Sequence, residues 1–255
     1  MHVSLCQKRR FAQLLPHCAD GLPGGKVAVM ADLSHHLLLI AVTFLLAGLI
    51  KGVIGLGLPT VAMGLLGLTM MPAEAAALLV VPSLVTNLWQ LFSGPRFGAL
   101  LRRLGGMMLG IAAGTTAGSG LIAGSGAKMA TAALGLALLT YAAVGMAKLR
   151  LNVPARIEVW TSPLVGVTTG LVTGATGVFV IPAVPYLGAL GLERDDLVQA
   201  LGLSFTVSTL ALAAGLAWHG SLPAQAAGAS LLALVPALAG MTLAVIIHGF
   251  EAGPV

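Results

Sequence analysis

The chain is expected to be an all-α polytopic membrane protein, and three observations predict this. It is 58% hydrophobic and only 8% charged, with a mean hydropathy of +1.00, whereas a soluble domain carries roughly 25% charged residues to cover its surface. Its apolar runs are continuous, which excludes the residue-by-residue alternation of an outer-membrane barrel. Between Leu37 and Met71 it runs 35 residues with one charge, Lys51, and Gly52, Gly55, Gly57 and Pro59 interrupt that run.

A straight helix over 37–71 would be roughly 50 Å long, against a hydrocarbon core of roughly 30 Å. The stretch is therefore a broken helix, or two half-helices meeting at the glycines. A second break of the same kind stands at Gly166, Gly170, Gly174 and Gly177, ahead of Pro182. Interrupted hydrophobic segments in corresponding halves point to a transporter's substrate site.

In order, the apolar segments are 37–55, 58–71, 75–93, 105–124, 127–147, 161–174, 177–190, 197–218 and 225–248. The first two are the legs of the first break, and 161–174 and 177–190 those of the second. Segments 105–124 and 127–147 are rich in Gly and Ala. Gly106, Gly110, Gly114 and Gly118 recur every fourth residue, which lets another helix approach closely. About seven or eight transmembrane helices are expected.

Two halves follow from the order of these features. Gly48 and Gly52 align with Gly166 and Gly170; after a two-residue insertion, Gly57, Thr86 and Gly120 align with Gly177, Thr206 and Gly240. The division expected is a disordered tail over 1–33, a first repeat over 34–150 and a second over 151–255. The second lacks a counterpart of the first repeat's last helix. Cys6 and Cys18 in the tail match no zinc spacing.

The net charge of +5 is not a nucleic-acid signal. The cations sit in short connections, at 94–104 with Arg96, Arg102 and Arg103, and at 148–158 with Lys148, Arg150 and Arg156. Both connections are expected on the cytoplasmic side. The link at 191–196 is net acidic. Two topologies satisfy this. In one, each broken segment crosses the membrane, the halves are parallel and 191–196 is external. In the other, each is a re-entrant hairpin, the halves are inverted and 191–196 is cytoplasmic. Lys8, Arg9, Arg10 and the acidic link favour the parallel form on the positive-inside count, whereas the length of 37–71 favours the hairpin, the form expected here.

The strings AGLIKGVIGLGLP (47–59) and VGVTTGLVTGATGVFVIP (165–182) resemble the TauE/SafE family of membrane transporters, also called sulfite exporters. The resemblance covers roughly residues 34–248. It implies about eight transmembrane helices in two related halves, and transport of small anions such as sulfite, sulfonates or other organosulfur compounds. Leu58 and Pro59 stand where many members continue with glycine.

The breaks suit an anion on physical grounds too. Irregular backbone at membrane depth lines a cavity or is buried in protein, and a helix starting there aims N–H groups and its positive dipole end inward. Lys51 lies beside the first break with nothing acidic near it in its segment, so a bound anion is a natural partner, the alternative being that Lys51 snorkels to an interface. The candidate substrate-binding residues are Lys51, Gly52, Gly55, Gly57, Asn87, Gln90, Gly170, Thr173, Gly174, Gly177 and Thr206. Asn87 and Gln90 share one side of a span, where amides need partners. Trp89, Trp160 and Trp218 read as interface anchors.

No carboxylate dyad, metal cluster or phosphate loop appears in the spans, so neither enzyme chemistry nor a cofactor is expected. Gly118-Ser119-Gly120 only superficially suggests an intramembrane protease. The expected location is the cell membrane. The expected partners are a small anionic substrate and the lipid bilayer, with no nucleic acid; a homo-oligomer is left open, as is a non-transporting scaffold.

Overall fold

The computed structural model describes residues 23–124, 127–147, 152–222 and 224–251. Cys6 and Cys18 lie outside them. The helices are α1 (Pro23–Ile54), α2 (Leu58–Leu66), α3 (Pro72–Phe92), α4 (Phe97–Ala123), α5 (Ala127–Ala147), α6 (Ala155–Thr176), α7 (Ala183–Ala189), α8 (Arg194–Trp218) and α9 (Ala224–Glu251). Met1–Ala41 and Val42–Val255 form separate units. In the first, helix begins at Pro23, inside the segment expected to be a disordered tail. Proline suits a first helical turn, where its missing N–H leaves no bond unmade.

Six helices among the described residues have stretches long and apolar enough to cross a membrane: Leu37–Ile54, Pro72–Phe92, Phe97–Ala123, Lys128–Ala147, Arg194–Trp218 and Ala226–Ile247. α6 has 22 residues but falls outside that set. Its outward positions are mostly apolar, with Val159, Trp160, Leu164, Val167 and Leu171 exposed beside Arg156 and Thr168. Its buried ones are Glu158, Ser162, Gly166, Thr169, Gly170, Thr173, Gly174 and Thr176. Small and hydroxyl residues lower the hydropathy chiefly of the face that meets protein.

That small-residue face packs on α4. A Cβ at Gly110 would lie 2.6 Å from the Pro163 carbonyl oxygen, and one at Gly118 would lie 2.8 Å from that of Leu171. Side chains at Gly166, Gly170 and Gly174 would overlap the carbonyls of Met107, Ile111 and Thr115. Residue numbers rise together along the contact, so α4 and α6 run parallel. α1 and α9 meet the same way: Gly48 abuts Ala237, Gly52 abuts Met241 and Ala244, and Gly240 abuts Leu45 and Leu49. They too are parallel. Such stripes bring backbones close enough for extensive dispersion contact and for polar groups to reach across.

α3 and α8 run antiparallel. Asn87 meets Thr209, Gln90 meets Val198, and Gly202 abuts Leu91. α3 contains Pro82, which removes the donor for the Leu78 carbonyl. Ser230 of α9 replaces it: its hydroxyl donates to Leu78 O at 2.7 Å and accepts from Val81 N at 3.1 Å.

One end of the bundle gathers the arginines. Arg96, between α3 and α4, pairs with Asp196 of α8 at 3.1 Å. Arg103 of α4 grips Glu158 of α6 through two bonds of 2.7 and 2.8 Å. Val153 N donates to the Ala189 carbonyl at 3.0 Å. The links around 93–97, 152–158 and 189–196 therefore share one end. Trp89 and Trp160 lie near it, and Trp218 lies at the C-terminal end of α8, all strongly exposed.

Candidate functional site

α1 stops at Ile54 because Gly55 (φ 78°) and Gly57 (φ 106°) take backbone conformations that L side chains disfavour. The short α2 then begins, with Pro59 in its first turn. The last turn of α1 carries Lys51, 4% exposed. Its Nζ donates to Asn87 Oδ1 and lies 5.9 Å from the centroid of the Phe205 ring, within cation–π range. The carboxylate pairs among the described residues are Arg96–Asp196 and Arg103–Glu158; neither involves Lys51.

α3 and α8 hold this ammonium in place. Asn87, fully buried, donates through Nδ2 to Thr209 Oγ1 at 3.3 Å, and Thr209 donates to its own helix at Phe205 O. The direction of the Asn87 amide is thereby set, oxygen toward Lys51. One turn further, Gln90 Nε2 donates to Gly55 O and to Val198 O, each at 3.1 Å. Gln90 so ties the irregular backbone of the break to α8. Its Oε1 is buried without a hydrogen-bond partner.

The second break lies across Phe205 from Lys51. α6 ends at Thr176, and Gly177 (φ 75°) turns the chain into Val178, Phe179 and Val180, all fully buried. The Phe179 ring stands 5.2 Å from that of Phe205, centroid to centroid. A Cβ at Gly177 would come within 2.9 Å of Met63 Cε on α2. Thr176 Oγ1 caps the break, donating to Val172 O and accepting from Val178 N at 3.1 Å.

The candidates thus fall into two groups. Lys51, Gly55, Asn87 and Gln90 are joined by hydrogen bonds, with Gly57 in the same break, and Gly177 lies beside α2. A duplicated fold predicts that Gly52, Gly55 and Gly57 face Gly170, Gly174 and Gly177 across one cavity near the midplane, and Gly52, Gly170 and Gly174 do not. They face other helices instead, Gly52 against α9 and the other two against α4. Thr173 and Thr206 donate to backbone carbonyls of their own helices, Thr169 O and Gly202 O. Thr209, Phe205 and Ser230 are additions from the structure. Only Ser230 had a sequence signal, since Pro82 inside a helix demands an outside donor for Leu78 O.

The family model described as Sulfite exporter TauE/SafE matches residues 40–250. No curated protein and no solved structure matches the chain.

Proposed function

The chain belongs to the TauE/SafE sulfite exporter family, a family of membrane transporters, and on that premise we infer that it is a secondary transporter binding a small anion at the first break. Family membership and the six apolar helices make it a multi-pass membrane protein.

Lys51 is the observation that carries this reading. An ammonium this buried, held by a neutral amide and a ring face with no carboxylate beside it among the described residues, has unbalanced charge. In hydrocarbon such a charge costs roughly 2.5–3.5 kcal/mol on insertion scales. A small oxyanion would balance it. Sulfite, a sulfonate or another organosulfur anion fits the family and the charge. Asn87 aims the ammonium, and Gln90 holds Gly55 so that the glycine backbone can approach the ligand. Gly57 starts α2 with free first-turn N–H groups, and Gly177 borders the opposite side. Gly52, Gly170, Gly174, Thr173 and Thr206 act at one remove, by fixing the helices.

The halves are read as related and inverted. Each has a long helix, a glycine break, a short helix and long helices in the same order. The pairings of α1 with α9 and α6 with α4 are alike in being parallel and in bringing Gly48 and Gly52, and Gly166 and Gly170, against a neighbouring backbone. The antiparallel course of α3 and α8, and the Arg96–Asp196 pair at the arginine-rich end, both favour inversion over parallel halves. α6 and α7 serve as the legs of the second re-entrant hairpin, the membrane is the cell membrane, and the arginine end is cytoplasmic. Rocking of one half against the other about a fixed site would give alternating access. Asp195→Cys, in a chain with Cys6 and Cys18 replaced by serine, should resist an impermeant thiol reagent applied outside; ready labelling would refute the orientation.

Counterflow by purified, reconstituted protein with sulfite, sulfoacetate, taurine and thiosulfate tests the function. Saturable exchange of at least one anion is expected. Failure of all four in correctly inserted protein would favour a scaffold without transport.

A further inference from the structure

Gln90 carries an acceptor for which no donor is found among the described residues. Both hydrogens of its Nε2 are committed, to Gly55 O and Val198 O at 3.1 Å each. Reversing the amide would press Oε1 against two carbonyl oxygens, so the direction is fixed by its partners. Oε1 is then left buried and without a partner in a side chain only 6% exposed. A buried acceptor left bare destabilises the fold unless something brings it a donor. One turn back on the same side of α3, Asn87 holds the Lys51 ammonium. The break therefore presents a cation and a bare acceptor on neighbouring turns.

We propose that the transported anion supplies the missing donor: the site takes a small monoanion that keeps one O–H, and Gln90 Oε1 is the specificity-determining acceptor for that hydroxyl. The single ammonium fixes the charge. One lysine balances one negative charge, and a dianion would carry a second, uncompensated charge into the membrane interior. The bare acceptor fixes the hydroxyl. An anion whose oxygens are all deprotonated would set lone pair against lone pair at Oε1, and one ending in a methyl group would leave it bare. Sites built to bond a ligand hydroxyl reject the isostere lacking it, because their buried polar group stays unmatched. This rests on the reading of Lys51 as the counter-charge of the anion.

The test is a binding titration of the purified full chain in detergent with three probes. Sulfite, titrated at mildly acidic pH where it is the monoanion hydrogensulfite, reports the anion site. Isethionate (2-hydroxyethanesulfonate) and propane-1-sulfonate are monoanions of nearly equal size that differ by a hydroxyl against a methyl group. Isethionate should bind about tenfold or more tightly than propane-1-sulfonate. In Gln90→Met that preference should shrink to within about twofold, with propane-1-sulfonate still bound. If sulfite binds but isethionate is not preferred, or neither sulfonate binds, the role given to Gln90 is wrong and the anion site stands. A preference that survives Gln90→Met overturns it equally. If none of the three binds, the anion site at Lys51 fails, and this inference with it. Should Gln90→Met not fold, the preference of the unaltered protein decides.

Discussion

At the first break a helix stops at Ile54, and its last turn carries a buried lysine held by an amide from α3. At the second, a helix stops at Thr176, and the chain runs on through Val178, Phe179 and Val180, all fully buried. Both breaks turn on a glycine with positive φ, and both lead into a short helix. Their polar groups are handled differently. Thr176 satisfies the second break from within, by bonding Val172 O and Val178 N. Gly55 of the first is bonded by Gln90, a side chain from another helix. Two stretches of irregular backbone thus come with different polar surroundings. The function proposed above places the chemistry at Lys51, Asn87 and Gln90, and Phe179 is linked to Lys51 through the Phe205 ring.

Replacing each break glycine by alanine sharpens this contrast. Gly57→Ala should be the more damaging, because φ 106° lies beyond the left-handed helical well and the new Cβ would lie 2.9 Å from Ile50 Cγ2. A loss of about 1–3 kcal/mol is expected, with transport reduced further because the first break is displaced. Gly177→Ala, at φ 75°, should cost about 1–2 kcal/mol. Its new neighbour is the end of the flexible Met63 side chain, which can give way. Thermal unfolding in detergent and counterflow measure the two effects. Equal losses of transport would mean that both breaks carry substrate.

A smaller effect is expected at Ser230. α3 contains Pro82 and α8, which packs against it, contains no proline, so of these two helices only α3 needs an outside donor for a freed carbonyl. Ser230→Ala would strip Leu78 O and Val81 N of their partner and should lower stability by about 1–3 kcal/mol. Transport per folded molecule should remain within about twofold, since the change touches no group at Lys51. A transport loss exceeding the loss of folded protein would tie the Pro82 kink to the site itself.

Much of this contrast is legible in the sequence, in uneven ways. A charge and two amides in long apolar runs stand out because burying them requires partners, and Lys51, Asn87 and Gln90 do meet in the fold. Glycine is ambiguous. The same missing Cβ serves a turn with positive φ, a ligand approaching the backbone, or a helix packed against a helix. Gly55 and Gly57 take the first use, whereas Gly52, Gly170 and Gly174 take the last. Phe205 and Thr209 gave no signal, because an aromatic ring and a hydroxyl in a span are ordinary until a cation or an amide is placed against them. α6 falls below the hydropathy of a span because it carries many threonines and glycines and a serine, most of them on the face that meets protein. The pairing of Arg96 with Asp196 depends on which links share an end, which local sequence does not encode.

Lys51→Met tests most directly whether the first break carries the anion. Methionine keeps the length and apolar stem of the side chain and removes the charge that Asn87 and Phe205 surround. In proteoliposomes containing equal amounts of inserted protein, counterflow of the best substrate should fall on the order of 100-fold, the scale for removing one partner of a buried charge pair. Transport within about twofold of the unaltered protein would contradict the assignment and reduce Lys51 to a structural residue.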